Sequence, residues 1–141
     1  MTPPLKGVRV VELTHTILGP SCGMILADLG AEVIKVEPVD GDRTRKLRGF
    51  AAGFFSYFNR NKRSLCLDLK APEGLAIAQD MIRKADVLLE NFGPGTLDRM
   101  GLGWEDVHKV NPRRVGSPSA CFVYCVLACV EPSPFPSTSL L

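Results

Sequence analysis

No apolar run in the sequence approaches the ~18 residues that a membrane span needs, so no membrane partner is expected. Charge of either sign is scarcely in excess: 17 Lys and Arg against 15 Asp and Glu leave a formal +2. That is too little to argue for nucleic acid as a partner, and any basic function has to be local. The opening residues, MTPPLKGVRVVEL, lack a basic start followed by an apolar stretch and a small-residue cleavage site. They do not read as a secretory signal, and a cytoplasmic location follows by default. No GxGxxG is present. Two histidines without a motif around them assemble no Ser/His/Asp or Cys/His arrangement. The five cysteines include no CxxC pair and no histidine partner, which argues against zinc and leaves no metal expected. An odd cysteine count argues against a disulfide framework. Cys22 and Cys66 lie in apolar stretches and read as buried small hydrophobes, while Cys121, Cys125 and Cys129 are spaced four apart in the tail.

What is present has the size and balance of one soluble domain: 141 residues, 45% apolar and 23% charged. The run from Val8 to Leu13 is β-branched and follows a glycine, the pattern of a buried strand. Pro20 suits the first turn of a helix that continues through SCGMILADLG and stops at Gly30. AEVIKVE is then a second strand. Strand, helix and strand in about thirty residues form a βαβ unit, with its strands parallel. A polar loop from Pro38 to about Asn61 carries Asp40, Asp42, Arg43, Arg45, Lys46 and Arg48, then Phe50, Phe54, Phe55, Tyr57 and Phe58. SLCLDL reads as a third strand. Pro72 and Glu73 open a helix reaching about Lys84, with Ile77, Met81 and Ile82 as its apolar face. DVLLE is a fourth strand, NFGPG a tight turn, and two short helical pieces cover 96–100 and 104–110. The fold class is α/β, Rossmann-like, with a mainly parallel sheet and flanking helices.

Past Arg114 the pattern changes. Glu131 is the only charged residue in VGSPSACFVYCVLACVEPSPFPSTSLL, and Pro132, Pro134 and Pro136 forbid regular structure around them. The tail is expected to add no sheet strand, and at most a short helix over 120–130.

Ligands of open α/β sheets bind at the carboxyl ends of the strands. Four segments fall there: THTILGP, EPVDGDRTRK, DLKAPEG and ENFGPG. The helix after LGPS would aim its N-terminal N–H groups at that edge, which suits a phosphate. NRNKRS precedes the third strand and belongs at the opposite edge. His15 reads as a turn cap, and Asp28 and Glu32 as structural. Glu37 stands where a ribose-binding acid sits in dinucleotide folds, so an unrelated dinucleotide-binding domain is one alternative.

The segments PLKGVRVVELTHTILGPSCGMILADLGAEVIKVE, GDRTR, YFNRNKRSLCLDLKAPEG, ADVLLENFGPGTLDRMGLGWEDV and VNPR together resemble the family III CoA-transferases. This is the CaiB/BaiF group, which also holds formyl-CoA transferase and the α-methylacyl-CoA racemases. The likeness runs from about Leu5 to Arg113. It implies a Rossmann-like large domain, an interlocked homodimer, and substrates that are an acyl-CoA and a small carboxylic acid. Coenzyme A contacts would fall on Thr16, Ile17, Leu67, Asp68, Leu69, Lys70, Asn91, Phe92, Gly93 and Arg99. The family's arginine after the glutamate closing the second strand is replaced here by Pro38, so Arg43 or Arg45 would have to substitute. The family's catalytic aspartate, which carries the acyl group as a mixed anhydride, lies beyond the matching region. No aspartate follows Asp106. The expectation is an N-terminal, coenzyme-binding part over 1–114, truncated before its catalytic residue, and a divergent tail over 115–141 from a frameshift or aberrant splice. A non-catalytic CoA-binding or structural fragment is the other alternative.

Overall fold

The computed structural model describes residues 1–111, together with the strands Arg114–Val115 and Cys125–Ala128. Four parallel strands form the centre: β1 (Arg9–Leu13), β2 (Glu32–Glu37), β3 (Arg63–Cys66) and β4 (Val87–Glu90), in the order β3-β2-β1-β4. Helix α1 (Leu18–Asp28) links β1 to β2, and α3 (Pro72–Lys84) links β3 to β4. The β2–β3 connection holds two short 3-10 turns, Arg43–Lys46 and Gly49–Ala51, and a short helix α2 (Phe54–Phe58). After β4 come α4 (Thr96–Arg99) and α5 (Trp104–Val110).

Alternation along each strand divides the core in two. Val11, Leu13, Val36 and Leu88 face one way and pack on Ala78 and Ile82 of α3, Val107 of α5 and Leu102. Val10, Val33, Val87 and Leu89 face the other way, against Ala27 and Ala31 at the end of α1. By the same alternation Glu12, Lys35 and Glu37 lie on the α1 face, and all three are buried. Glu12 and Lys35 are direct cross-strand partners in the β1–β2 register.

Several expectations shift. Strand β3 spans Arg63–Cys66, not SLCLDL: Leu67 still donates its N–H to the Glu37 carbonyl, but Asp68 then accepts the Lys70 N–H and turns the chain out of the sheet. On α3 the buried face is Gly74, Ala78 and Ile82; Ile77 points to solvent. Gly74 is needed there, because a Cβ would lie 2.1 Å from the Asp68 carbonyl oxygen. Cys66 is exposed, since among the described residues β3 has no neighbour beyond it, and Cys22 on α1 is only part-buried. The tail also departs from expectation. β6 (Cys125–Ala128) adds to β4 in antiparallel register, and β5 (Arg114–Val115) pairs with β6. Without it, β4 would present an open row of backbone donors and acceptors, which a short apolar strand satisfies. The proline-rich end and the remainder of the expected 120–130 helix lie outside the described residues. No helix among the described residues is long and apolar enough to cross a membrane.

Candidate functional site

Strand order fixes where a ligand has room. From β1 the chain moves to β2 and β3 on one side, then crosses to β4 on the other, so the winding reverses between β1 and β4. Loops leaving neighbouring strands at such a switch point diverge and leave a crevice at the carboxyl edge. Two of the sequence-predicted groups flank it: Thr16 and Ile17 after β1, and Asn91, Phe92 and Gly93 after β4.

Asn91 ties the two together. Its Oδ1 accepts from the His15 N–H at 2.9 Å, and its Nδ2 donates to the His15 carbonyl at 3.0 Å. The His15 and Phe92 rings lie 5.6 Å apart, and His15 Nδ1 is 2.9 Å from Thr16 Oγ1. Thr16 holds φ at 68°, a region a β-branched residue rarely adopts. Helix α1 then begins hard against this pair: a Cβ on Gly19 would lie 2.6 Å from Thr14 Cβ and 2.9 Å from Asn91 Cγ. No side chain caps α1, because Ile17 stands at the capping position. Pro20 has no N–H and the Ser21 N–H is bonded to the Ile17 carbonyl, so in this first turn the Leu18 and Gly19 N–H groups remain for an acceptor. Ile17 and Leu18 are exposed beside them.

Leu67, Asp68, Leu69 and Lys70 leave β3 two strands from β1. Their turn is fixed by the Asp68–Lys70 bond of 2.9 Å and by the Ala71 N–H on the Asp68 carbonyl. Among the described residues, no hydrogen bond joins this turn to those after β1 and β4. Lys70 is exposed and without an ion pair there, as are Arg43 and Arg99. Arg99 lies over the β4 turn, donating to Thr96 Oγ1 at 3.2 Å.

Arg45 stands differently. Its Nε and Nη2 bond both Glu37 oxygens, at 2.7 and 2.8 Å, and its guanidinium lies 3.6 Å from the Phe55 ring centre. Ser64 Oγ and the Asp42 N–H fill the rest of Glu37. Burial pushes this carboxyl up, but the bonds from Arg45, Ser64 and Asp42 overcome it and hold it at about 2. Glu37 is thus consumed internally and presents nothing to a ribose, which removes the ground for the dinucleotide alternative. Glu90, closing β4, has the opposite environment. Burial pushes its carboxyl up; the Phe92 N–H at 3.0 Å pulls it partly back, and Asp98 adds a little upward.

NRNKRS sits as its position before β3 implied. Arg60 and Asn61 bind Asp28 at the end of α1, and Arg63 binds Glu32 at the start of β2. Lys62 is the exception and turns inward to Glu12. The sequence singled out neither Glu12 nor Lys35, and marked Lys62 only as one cation of a basic stretch. The available signal was a lone charge inside each of two β-branched runs, RVVEL and EVIKVE. Among the described residues no group of His, Cys, Asp and Glu is arranged to hold a metal.

A family model described as CoA-transferase family III matches residues 5–116. The chain belongs to that family. Proteins named formyl-CoA:oxalate CoA-transferase from Bradyrhizobium sp. (strain ORS 278) and Rhodopseudomonas palustris (strain TIE-1) are 47% and 48% identical to it over 120 residues. The alignments cover 82% of this chain and 28% of each relative, so the chain spans 28% of the length of these curated proteins. Among solved structures, a CaiB/BaiF family protein from Brucella suis superposes with a TM-score of 0.74 at 40% identity, covering 80% of this chain and 32% of that one. A hypothetical protein from Mycobacterium tuberculosis superposes at 0.75, also 40% identical, covering 79% and 31%. The family III assignment thus agrees with the α/β, mainly parallel fold described above.

Proposed function

We propose that this chain binds coenzyme A, free or as an acyl thioester, at the carboxyl edge of its sheet, and that it supplies the coenzyme-binding part of a CoA-transferase. The observation that carries the reading is the reciprocal Asn91–His15 pairing, which draws the turns after β1 and β4 together at the switch point of a family III chain. Thr16, Ile17 and the uncapped first turn of α1 form one wall, and Asn91, Phe92 and Gly93 the other. Lys70, Arg43 and Arg99, exposed and without an ion pair among the described residues, are the cations that would meet phosphates. With Arg45 committed to Glu37, Arg43 is the better substitute for the arginine that Pro38 displaces.

The whole reaction would exchange coenzyme A between an acyl-CoA and a free carboxylic acid. A protein carboxylate attacks the thioester carbonyl and expels the CoA thiolate, leaving a mixed anhydride. That covalent step divides a slow exchange into two easier ones. By the family resemblance that carboxylate lies outside the matching segment, and what we assign to the described residues is the binding of the coenzyme. An interlocked homodimer, an acyl-CoA with a small carboxylic acid, and a cytoplasmic setting complete the proposal.

Calorimetry of CoA against the chain tests it. Lys70→Ala should weaken binding by about 1–3 kcal/mol, the range for a charge-assisted contact. Lys6→Ala, outside every candidate segment, should leave it unchanged. Binding should also weaken as salt rises, because exposed ion contacts are screened over about 10 Å in 0.1 M salt. Absent binding, or equal salt-insensitive binding in both variants, contradicts the reading.

A further inference from the structure

The turn between β1 and α1 is gripped from beneath at both ends. Lys35 Nζ donates to the Thr14 carbonyl at 2.8 Å, and Lys62 Nζ donates to the Pro20 carbonyl at 2.8 Å. Both ammonium groups are buried, each side chain 1% exposed. They share one acid: Glu12 Oε1 accepts from Lys62 at 3.0 Å and from Lys35 at 3.3 Å, and from the Thr14 hydroxyl at 2.6 Å. Glu12 Oε2 lies 2.8 Å from Lys62 Nζ but off the line of a directed bond, so charge alone balances it. Asp42 is the second acid, 3.1 Å from Lys35, and Asn59 Oδ1 takes a further Lys62 proton at 3.1 Å. Two lysines and two carboxylates leave the cluster neutral.

We propose that Lys35 and Lys62 are positioning residues for coenzyme binding: their buried ammonium groups hold the Thr14 and Pro20 carbonyls and so set the shape of the turn carrying Thr16 and Ile17. The functional half of this rests on the coenzyme reading above; the clamp itself does not. The turn's own contacts, His15 Nδ1 with Thr16 Oγ1 and Ser21 Oγ on the Ile17 carbonyl, leave its Thr14 and Pro20 carbonyls to be held from elsewhere. Thr16 sits at φ 68°, and α1 has no side-chain cap. An unsupported turn of that kind relaxes toward commoner dihedrals. Lysine suits the task because one ammonium has three donors, enough to hold a backbone carbonyl and a balancing acid together. Gly23 gives the cluster its room: a Cβ there would lie 1.8 Å from Glu12 Oε2, so α1 settles onto the carboxylate only without one. The stretch NRNKRS thereby has a role at the site although its other cations point to the opposite edge. Lys62 reaches the binding turn from below instead of meeting a phosphate.

Amide hydrogen exchange on the full 141-residue chain tests the clamp without any ligand. Two reporters are at hand: the His15 amide, bonded to Asn91, and the Ser21 amide, bonded to the Ile17 carbonyl. The Leu75 amide of α3, bonded to Ala71, is the reference. In Lys62→Met and in Lys35→Met, exchange at His15 and Ser21 should rise at least tenfold relative to Leu75. CoA affinity by calorimetry should fall at least tenfold. Arg63→Met, which removes an exposed pair, should do neither. If a single variant fails to fold, Glu12→Gln with Lys62→Met removes the stranded charge while still omitting the Pro20 contact, and it should show the same local signature. Exchange unchanged at both reporters, or rising in step with Leu75, overturns the proposal. Local loosening with unaltered CoA affinity overturns its functional half. Local loosening in a chain whose unmutated form does not bind CoA supports the clamp and sinks the coenzyme reading.

Discussion

On its α3 side the sheet buries Val11, Leu13, Val36 and Leu88 against Ala78, Ile82 and Val107. On its α1 side, in the carboxyl half of the same strands, it buries Glu12, Lys35 and Glu37 against Gly23, Asp42, Arg45 and Lys62. The two faces differ in kind. Apolar burial is non-directional and scales with area, so the α3 side supplies stability and tolerates swaps of similar volume. Buried ion pairs recover their desolvation cost only with good geometry, and as a source of stability they are weak. Burial outweighs the attraction of Glu12 at Lys62 and pulls its ammonium below the ordinary lysine range. What the charged side contributes is direction. Each of its bonds fixes a particular carbonyl or loop, and two of them end at the binding turn. Apolar packing on both faces holds the fold together, and the charged cluster at the carboxyl half of the α1 side sets the shape of the edge.

The comparison breaks hardest where one member of the charged cluster is removed alone. Lys62→Met should cost about 3–5 kcal/mol in denaturant unfolding, because it strands Glu12 in the interior. Adding Glu12→Gln should recover much of that loss. If the double variant is as unstable as the single one, Lys62 stabilises by packing and the two faces are not different in kind. Next is the apolar side: Ile82→Ala, fully buried, should cost about 3 kcal/mol through lost transfer energy and a residual cavity, with the His15 and Ser21 exchange pattern unchanged. A smaller effect comes from acid. Glu37 is held at about 2 against an ordinary 4.5, so its contribution is complete above pH 4.5 and is lost as pH falls toward 2. That limb should amount to about 2–3 kcal/mol and should shrink in Arg45→Met, measured by unfolding across the range. The smallest effect is Glu90→Gln. Burial raises the Glu90 carboxyl, so its ionised form is a cost at neutral pH, and an amide oxygen still accepts from Phe92. The change should be neutral or stabilising, by less than about 1 kcal/mol.

The apolar face was readable because its signals are local. RVVEL, EVIKVE and DVLLE declare themselves by β-branched runs, and α3 by helical spacing, although of the face expected at Ile77, Met81 and Ile82 only Ile82 is fully buried, and Gly74 and Ala78 complete it instead. The charged face was not readable, because its pairs join distant positions. Lys62 meets Glu12 across 50 residues, and no periodicity links them. Arg45 looked like a free cation of a basic loop until Glu37 and Phe55 were found around it. The β6 strand was missed for a related reason. CVLA carries no turn signals of its own and is defined by the open edge of β4 that it completes. The rule that ligands gather at strand carboxyl ends picked out the segments after β1, β2, β3 and β4, and the structure sets those after β1 and β4 on either side of the switch point. That Asn91 joins two of them is a tertiary fact.

The central claim is that coenzyme A sits at the β1–β4 switch point. Titrating CoA into the isotopically labelled chain and following backbone amide shifts tests it most directly. The account predicts shifts concentrated at Thr16–Leu18 and Asn91–Gly93, with a second set at Asp68–Lys70. Shifts confined to the amino edge, around Asp28, Glu32 and Arg60, or to the groove that Gln79 and Arg83 of α3 line with Asp106 and Val110 of α5, would contradict it.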